Sequence, residues 1–323
     1  MIDWGKVPGL ADELKEMDRC IKRTLDSRQP LLRQTVKELV EAGGKRLRPA
    51  LLLLAGRFGR KFSPEDLIPL AAIIEILHMA TLIHDDVIDD AVMRRGKPSV
   101  QARWGKDVAV FTGDFLLSKA FFLLTEKTSF EHLKKVASVM NKICEGEIEQ
   151  YQSRFNINVS LKQYLKRINY KTAILFALST HIGAQQSGCS QRETWQLRRA
   201  GLELGMAFQI QDDILDFEGK QGVVGKPVGN DFLQGVFTLP LVYALNHKKY
   251  EKETRCILSK EQYEKEDVQR VIELVHISGG IDYARSIRQR YHQKALNHIR
   301  ALADIPARRF LEDLIIDLAG RQY

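Results

Sequence analysis

Apolar residues recur along nearly the whole of this 323-residue chain at spacings of three and four, and nothing in it alternates with the period of two that a half-buried strand requires. Asn-Gly and Asp-Gly hairpin signals are missing as well. Such a chain is confined to helix packed on helix, so the expected fold class is all-α. Ser63-Pro64-Glu65-Asp66 predicts a helix start, with a capping hydroxyl, Pro in the first turn and acids at the positive end of the helix dipole. Beyond Pro69 the polar residues fall at Glu75, His78, Thr81, Asp85 and Asp89, in steps of 3, 3, 4 and 4. That is one polar stripe on an otherwise apolar helix, as expected of an enclosed helix lining a wet cleft along a single seam.

The stripe ends in Asp85-Asp86-Val87-Ile88-Asp89, and the same spacing returns in Asp212-Asp213-Ile214-Leu215-Asp216. Residues four apart share a helix face, so Asp85 with Asp89, and Asp212 with Asp216, would each present two carboxylates to one point. Gln209 lies on the same face as the second pair. Carboxylates are ligands for Mg²⁺, which uses one or two of them and fills its other positions with substrate phosphate and water. Two such pincers facing each other would hold a diphosphate. Either cluster alone is also readable as a solvated helix face; the repeated spacing is what favours the metal.

Cations gather nearby in Gly43-Gly44-Lys45-Arg46-Leu47-Arg48-Pro49 and in Arg94-Arg95-Gly96. Arg offers a planar fork to phosphate oxygens and Lys a point charge. The plainer readings are a solvated basic turn for the first group and ion pairs to Asp89 or Asp90 for the second. Lys171-Thr172 and Gly225-Lys226-Pro227 are weaker signals by themselves, and His78 alone reads equally well as a core histidine.

No Pro/Gly/Ser-rich linker interrupts the chain, which predicts a single domain over 1–323. Cys20, Cys144, Cys189 and Cys256 form no pairing motif and no signal peptide opens the chain, pointing to a cytoplasmic setting. The apolar stretch from Leu70 to Ile83 is broken by Glu75, His78 and Thr81, so no membrane span is expected. The net charge of +8 suits an anionic partner, and because the basic residues are scattered, an anionic small substrate is favoured over nucleic acid. Between Glu218 and Phe237, Gly219, Gly222, Gly225, Gly229, Gly235 and Pro227 predict a loop able to close over a site.

Taken together, these motifs, with Leu82-Ile83-His84 before the first acidic cluster, Gly113-Asp114, Lys171-Thr172-Ala173 and Phe208-Gln209-Ile210-Gln211 before the second, resemble the trans-polyprenyl diphosphate synthases in order and spacing. Within that family the chain is most like the catalytic large subunit of bacterial heptaprenyl or hexaprenyl diphosphate synthases. The resemblance implies an isoprenoid-synthase-type helical bundle around a central cavity, and head-to-tail condensation of an allylic diphosphate with isopentenyl diphosphate. It implies Mg²⁺ held by Asp85, Asp89 and Asp212, with Asp86, Asp213 and Asp216 in support. Arg94, Lys171, Thr172, Gln209 and Lys226 would contact the allylic substrate, and Lys45, Arg48, His78 and Arg95 would hold isopentenyl diphosphate. Released diphosphate would accept the proton lost at the end.

Product length should follow from the helix below the first cluster, where Leu70 to His84 make a wall about 22 Å deep. Ala80 and Thr81 are small where short-chain relatives tend to carry an aromatic ring, and Leu77 is a candidate floor. This points to a hexaprenyl or heptaprenyl product for quinone (menaquinone) side chains, grown from a farnesyl primer. The rival readings are a farnesyl or geranylgeranyl diphosphate synthase, a terpene cyclase and a non-catalytic regulatory subunit. By resemblance the chain would act as a homodimer or with a small regulatory subunit, and a hydrophobic product suggests transient contact with a membrane surface.

Overall fold

Helix-forming signals dominate the chain, and a computed structural model, which describes residues 3–94, 96–218 and 228–319, is helical almost throughout. The α-helices run in order α1 (Leu10–Thr24), α2 (Pro30–Glu41), α3 (Leu47–Gly56), α4 (Pro64–Ile88), α5 (Val100–Trp104), α6 (Lys106–Lys127), α7 (Phe130–Gln152) and α8 (Leu161–Ile168). They continue as α9 (Ile174–Gln186), α10 (Gln191–Glu218), α11 (Asn230–Leu233), α12 (Leu239–Leu245), α13 (Glu251–Leu258), α14 (Lys265–Ile277), α15 (Gly280–Arg300) and α16 (Pro306–Ala319). One feature departs from the all-helical expectation. Met93–Arg94 (β1) pairs antiparallel with Lys97–Pro98 (β2) across a tight turn in which Gly96 has a φ of 74°. Two residues per strand are too few to show a period-two pattern, which is why the sequence gives no sign of them.

The chain divides into two compact units. The first comprises Met1–Ser138, Leu175–Gly201 and His298–Leu314, the second Val139–Ile174, Leu202–Asn297 and Ile315–Tyr323, with the boundaries falling inside α7, α10, α15 and α16 and at the first residue of α9.

In the first unit α4 is the organising element. Ser63 caps it as expected, its hydroxyl accepting the Asp66 N–H at 3.3 Å, with Pro64 in the first turn. Leu67, Leu70 to Leu77, Met79, Ala80 and Ile83 are buried against α1, α3 and α6. By length and composition α4 and α6 could each cross a bilayer, but α4 gives most of its apolar surface to protein neighbours. Close approach of helices explains two glycines. A Cβ on Gly113 of α6 would lie 2.3 Å from His84 Nε2 on α4, and one on Gly183 of α9 would lie 2.0 Å from the Leu52 carbonyl oxygen on α3.

The second unit has its own core, built from Tyr164 and Ile168 of α8, Met206, Ile210, Ile214 and Phe217 of α10, Phe232, Phe237 and the apolar faces of α12 to α15. All four cysteines are free thiols.

Candidate active site

The first acidic cluster occupies the last turn of α4. Asp89 is its C-cap, and the Asp89 N–H still bonds to the Asp85 carbonyl at 2.9 Å. The two carboxylates therefore sit one full turn apart on one side, both partly exposed. Asp86 faces the other way. It is 6% exposed, and Arg94 Nε donates to both its oxygens at 2.9 and 3.1 Å. Its backbone carbonyl accepts from Gln101 Nε2 at 2.7 Å, tying the hairpin and α5 to the end of α4. The ion pair expected between Arg94 and Asp89 or Asp90 thus forms with Asp86, while Asp90 pairs with Lys106. Asp86 and Arg94 hold each other, so Asp86 reads as an orienting group beside the pincer rather than one of its jaws.

The polar stripe divides as well. His78, Thr81, Asp85 and Asp89 are partly accessible, whereas Glu75 is 3% exposed and receives Arg46 Nη1 at 2.6 Å. Glu75 therefore does not line a cleft, which corrects the expectation for that residue. A carboxylate so deeply placed needs a charged partner, and Arg46 is that partner. The basic loop is split with it: Arg46 turns inward, Lys45 is exposed, and Arg48 Nη1 lies 3.0 Å from His78 Nε2 with its guanidinium 4.7 Å from the Phe176 ring centre. An arginine can only donate, so in this contact His78 accepts through Nε2. Of the candidate chain-length residues, Thr81 lies on the accessible stripe, while Leu77 and Ala80 are 0% exposed on α4's packed sides. Five residues of helix turn Ala80 about 140° away from Asp85, which is why it misses the stripe. Arg95 lies outside the described residues.

The second cluster, in the last two turns of α10, repeats the division. Asp212 is exposed and Asp216 partly so, while Asp213 is 2% exposed. The Tyr164 hydroxyl donates to Asp213 Oδ2 at 2.6 Å and Gln209 Nε2 donates to Oδ1 at 2.9 Å. Gln209 in turn accepts from Thr172 Oγ1 at 2.6 Å, so Tyr164, Asp213, Gln209 and Thr172 form one chain. Thr172 and Lys171 sit on a π-helical turn, Asn169–Ala173, a local widening often found at functional sites. Lys171 Nζ is 3.1 Å from Glu147. Asp231, at the start of α11, donates its backbone N–H to Asp216 Oδ2 at 3.3 Å. Burial, and next the Asp231 carboxylate, push the Asp216 carboxyl up to about 8; burial first and Asp231 second also push Asp213 up to about 6. Carboxylates raised in this way are short of positive charge, and a divalent cation beside them would supply it. Among the described residues no three His, Cys, Asp or Glu side chains make a complete protein cage for a metal, and Mg²⁺ does not require one. Lys226 falls outside the described residues, as does the stretch 219–227 of the glycine-rich loop; in its described part Asn230–Leu233 forms α11 rather than remaining loop.

Tyr164, Glu147, Asp231 and the Arg46–Glu75 pair belong to these networks without having stood out in the sequence. Glu75 and Arg46 each had a signal, as members of the stripe and of the basic group, but nothing in the sequence joined them as a pair.

Two acid triplets on helices, each flanked by Arg, Lys, Thr or Gln donors, define a helical enzyme class that handles diphosphates through a metal. Residues 29–275 match the polyprenyl synthetase family. Component 2 of the heptaprenyl diphosphate synthase of Bacillus subtilis (strain 168) is 36% identical over 314 residues, 97% of this chain and 89% of that protein. A solved polyprenyl synthase from Caulobacter crescentus CB15, complexed with calcium and isoprenyl diphosphate, matches with a TM-score of 0.92 at 33% identity, covering 99% of this chain and 98% of its own. A geranylgeranyl pyrophosphate synthase from Lactobacillus brevis ATCC 367 matches with a TM-score of 0.92 at 35% identity, covering 98% and 99%. The chain belongs to the polyprenyl synthetase family. It is a prenyltransferase, with the helical fold of the polyprenyl diphosphate synthases and the family's use of a divalent metal.

Proposed function

We propose that this prenyltransferase extends farnesyl diphosphate with successive isopentenyl diphosphates in the presence of Mg²⁺, giving a hexaprenyl or heptaprenyl diphosphate for a quinone side chain. The observation that carries the reading is the matched division of the two triplets: in each, the middle aspartate is locked by the protein and the outer pair lies on the accessible side. Asp85, Asp89, Asp212 and Asp216 are the metal-holding carboxylates, and Asp86 and Asp213 keep them aimed. When bound, Mg²⁺ offsets the negative charge of the departing diphosphate and so eases carbon–oxygen cleavage. Arg94, Lys171 and Lys226 add fixed positive charge on the allylic side, with Thr172 and Gln209 as hydrogen-bonding groups. Lys45, Arg48, Arg95 and His78 hold isopentenyl diphosphate, whose double bond must meet the allylic carbon away from water.

Thr81, small and on the accessible stripe one turn below Asp85, leaves room for a growing chain, which favours the long product over geranylgeranyl or farnesyl diphosphate. Exposed Phe111 and Phe122 on α6, with Phe130 at the start of α7, offer apolar surface to a protein partner, a second copy or a small regulatory subunit. Incubating the purified chain with farnesyl diphosphate, labelled isopentenyl diphosphate and Mg²⁺, then sizing the extracted product, tests the reading. A long polyprenol after dephosphorylation is expected, with incorporation abolished by a chelator and restored by Mg²⁺. A product stopping at geranylgeranyl would replace the length assignment. Light scattering on the eluting chain decides between a homodimer and a monomer that needs a companion.

A further inference from the structure

The basic loop between α2 and α3 holds a residue in a conformation that needs an explanation. Arg46, the N-cap of α3, has φ 48° and ψ 33°, the left-handed region, and its side chain makes no capping bond. A non-glycine residue held there carries backbone strain, and persists only where its surroundings impose it. Here they do. The guanidinium is 8% exposed and bridges Glu75 at 2.6 Å and Asp18 at 2.9 Å, so it joins α3 to α1 and α4. Two residues later Arg48 reaches His78, three residues past Glu75 on the same face of α4. The loop is thus fixed to α4 by two successive rungs, Arg46 to Glu75 and Arg48 to His78. Just ahead of the first rung, the inward turn of Arg46 leaves Lys45 outside and exposed. Asp85 stands seven residues, about 10 Å, further along α4. One helix therefore spaces the basic loop from the first acidic cluster.

We propose that Glu75 is a positioning residue for isopentenyl diphosphate, acting through Arg46 to hold the loop in the shape that presents Lys45 and Arg48. The proposal rests on the assignment of Lys45, Arg48 and His78 to that diphosphate made above. Glu75 and Arg46 touch no substrate; the pair sets the approach of those that do.

Wild type, E75Q, E75D and D18N as full chains separate the possibilities. The two substrates are varied independently in steady-state elongation, and hydrogen exchange is followed without substrate over residues 43–48 and 85–89. E75Q is expected to raise KM for isopentenyl diphosphate about tenfold, with KM for farnesyl diphosphate changed by less than about twofold. Exchange should quicken over 43–48 and stay unchanged over 85–89. E75D should recover part of the loss. D18N, at the more exposed end of the cluster, should shift the same readings in the same direction by less, and keeps the test available if E75Q does not fold. Equal changes in the two KM values, or unchanged exchange over 43–48, would overturn the proposal. A wild type that elongates nothing on its own would point to a required companion subunit, while the exchange comparison, made on the chain alone, would still decide whether Glu75 holds the loop.

Discussion

Gly183 offers a test in which two ordinary effects have opposite signs. Replacing a glycine inside α9 by alanine should, on backbone entropy alone, stabilise the helix by about 1 kcal/mol. Against that, the new Cβ would stand 2.0 Å from the Leu52 oxygen, 2.9 Å from its carbonyl carbon and 3.2 Å from its Cα, all backbone atoms of α3. Ordinary contact begins near 3.5 Å, so the two helices must part by more than about 1 Å. Overpacking of this kind costs about 3 kcal/mol where no side chain can yield, which leaves a net loss of about 2 kcal/mol. With an unfolding entropy of about 2.1 cal/mol/K per residue, that is a fall in Tm of about 3 °C for a chain of this size. Gly56, one turn beyond Leu52, supplies the comparison: its Cβ would meet Leu67 Cδ1 at 2.4 Å and Ser187 Oγ at 2.9 Å, both side-chain ends that can swing away. Thermal unfolding followed by circular dichroism should therefore rank G183A below G56A, and G56A at or below wild type. A stabilised G183A, or the reverse order, would show that the crossing of α3 and α9 has slack that the geometry denies.

Removing Arg94 leaves a 6%-exposed carboxylate on Asp86 without its fork, so R94A should lose about 1–3 kcal/mol in urea unfolding and R94K less than half of that. The partly exposed Arg94 side chain sets the modest upper bound. His181 and His292 are each pushed down to about 4, chiefly by burial, so the folded protein keeps them neutral while the unfolded chain protonates near 6.5. Their contribution is complete above about pH 6.5 and is lost as pH falls toward 4, at no more than about 1.4 kcal/mol per pH unit for each group. Tm measured from pH 7.5 to 5 should fall less steeply in H292L than in wild type, and parallel curves would refute the assignment. T81F should shorten the main product, whereas A80F, on a packed side of α4, should lower stability first; equal shortening by both would put Ala80 back on the tunnel wall.

The helical class and the start of α4 could be read in advance because periodicity and the Ser63-Pro64 signal are local properties. The pincers could be read too, since one helical turn fixes Asp85 against Asp89. What could not be read is which neighbours in a motif part company. Arg46 and Arg48 are two residues apart in a basic cluster, yet Arg46 is buried against Glu75 and Arg48 meets His78, because a left-handed residue turns the chain between them. Likewise Asp86 and Asp213 look equal to their neighbours until Arg94 and Tyr164, from elsewhere in the chain, claim them. Tyr164 is 49 residues from Asp213, and Arg94, eight from Asp86, is nearer in sequence to Asp89 and Asp90, so a single sequence carries no record of who meets whom. The consequence for the motif is arithmetic: three acids are written in each triplet, and two remain on the accessible side.

The widened turn at Asn169–Ala173 amounts to an additional residue let into a helical run, and it carries the second of two grips on α10. Tyr164, ahead of it, clasps Asp213; Thr172, within it, clasps Gln209. Regular α-helical winding would turn Thr172, eight residues on, about 80° from Tyr164, and the wider turn cancels most of that offset. The widening thus works as a phase shim, keeping Tyr164 and Thr172 on a common side of the run.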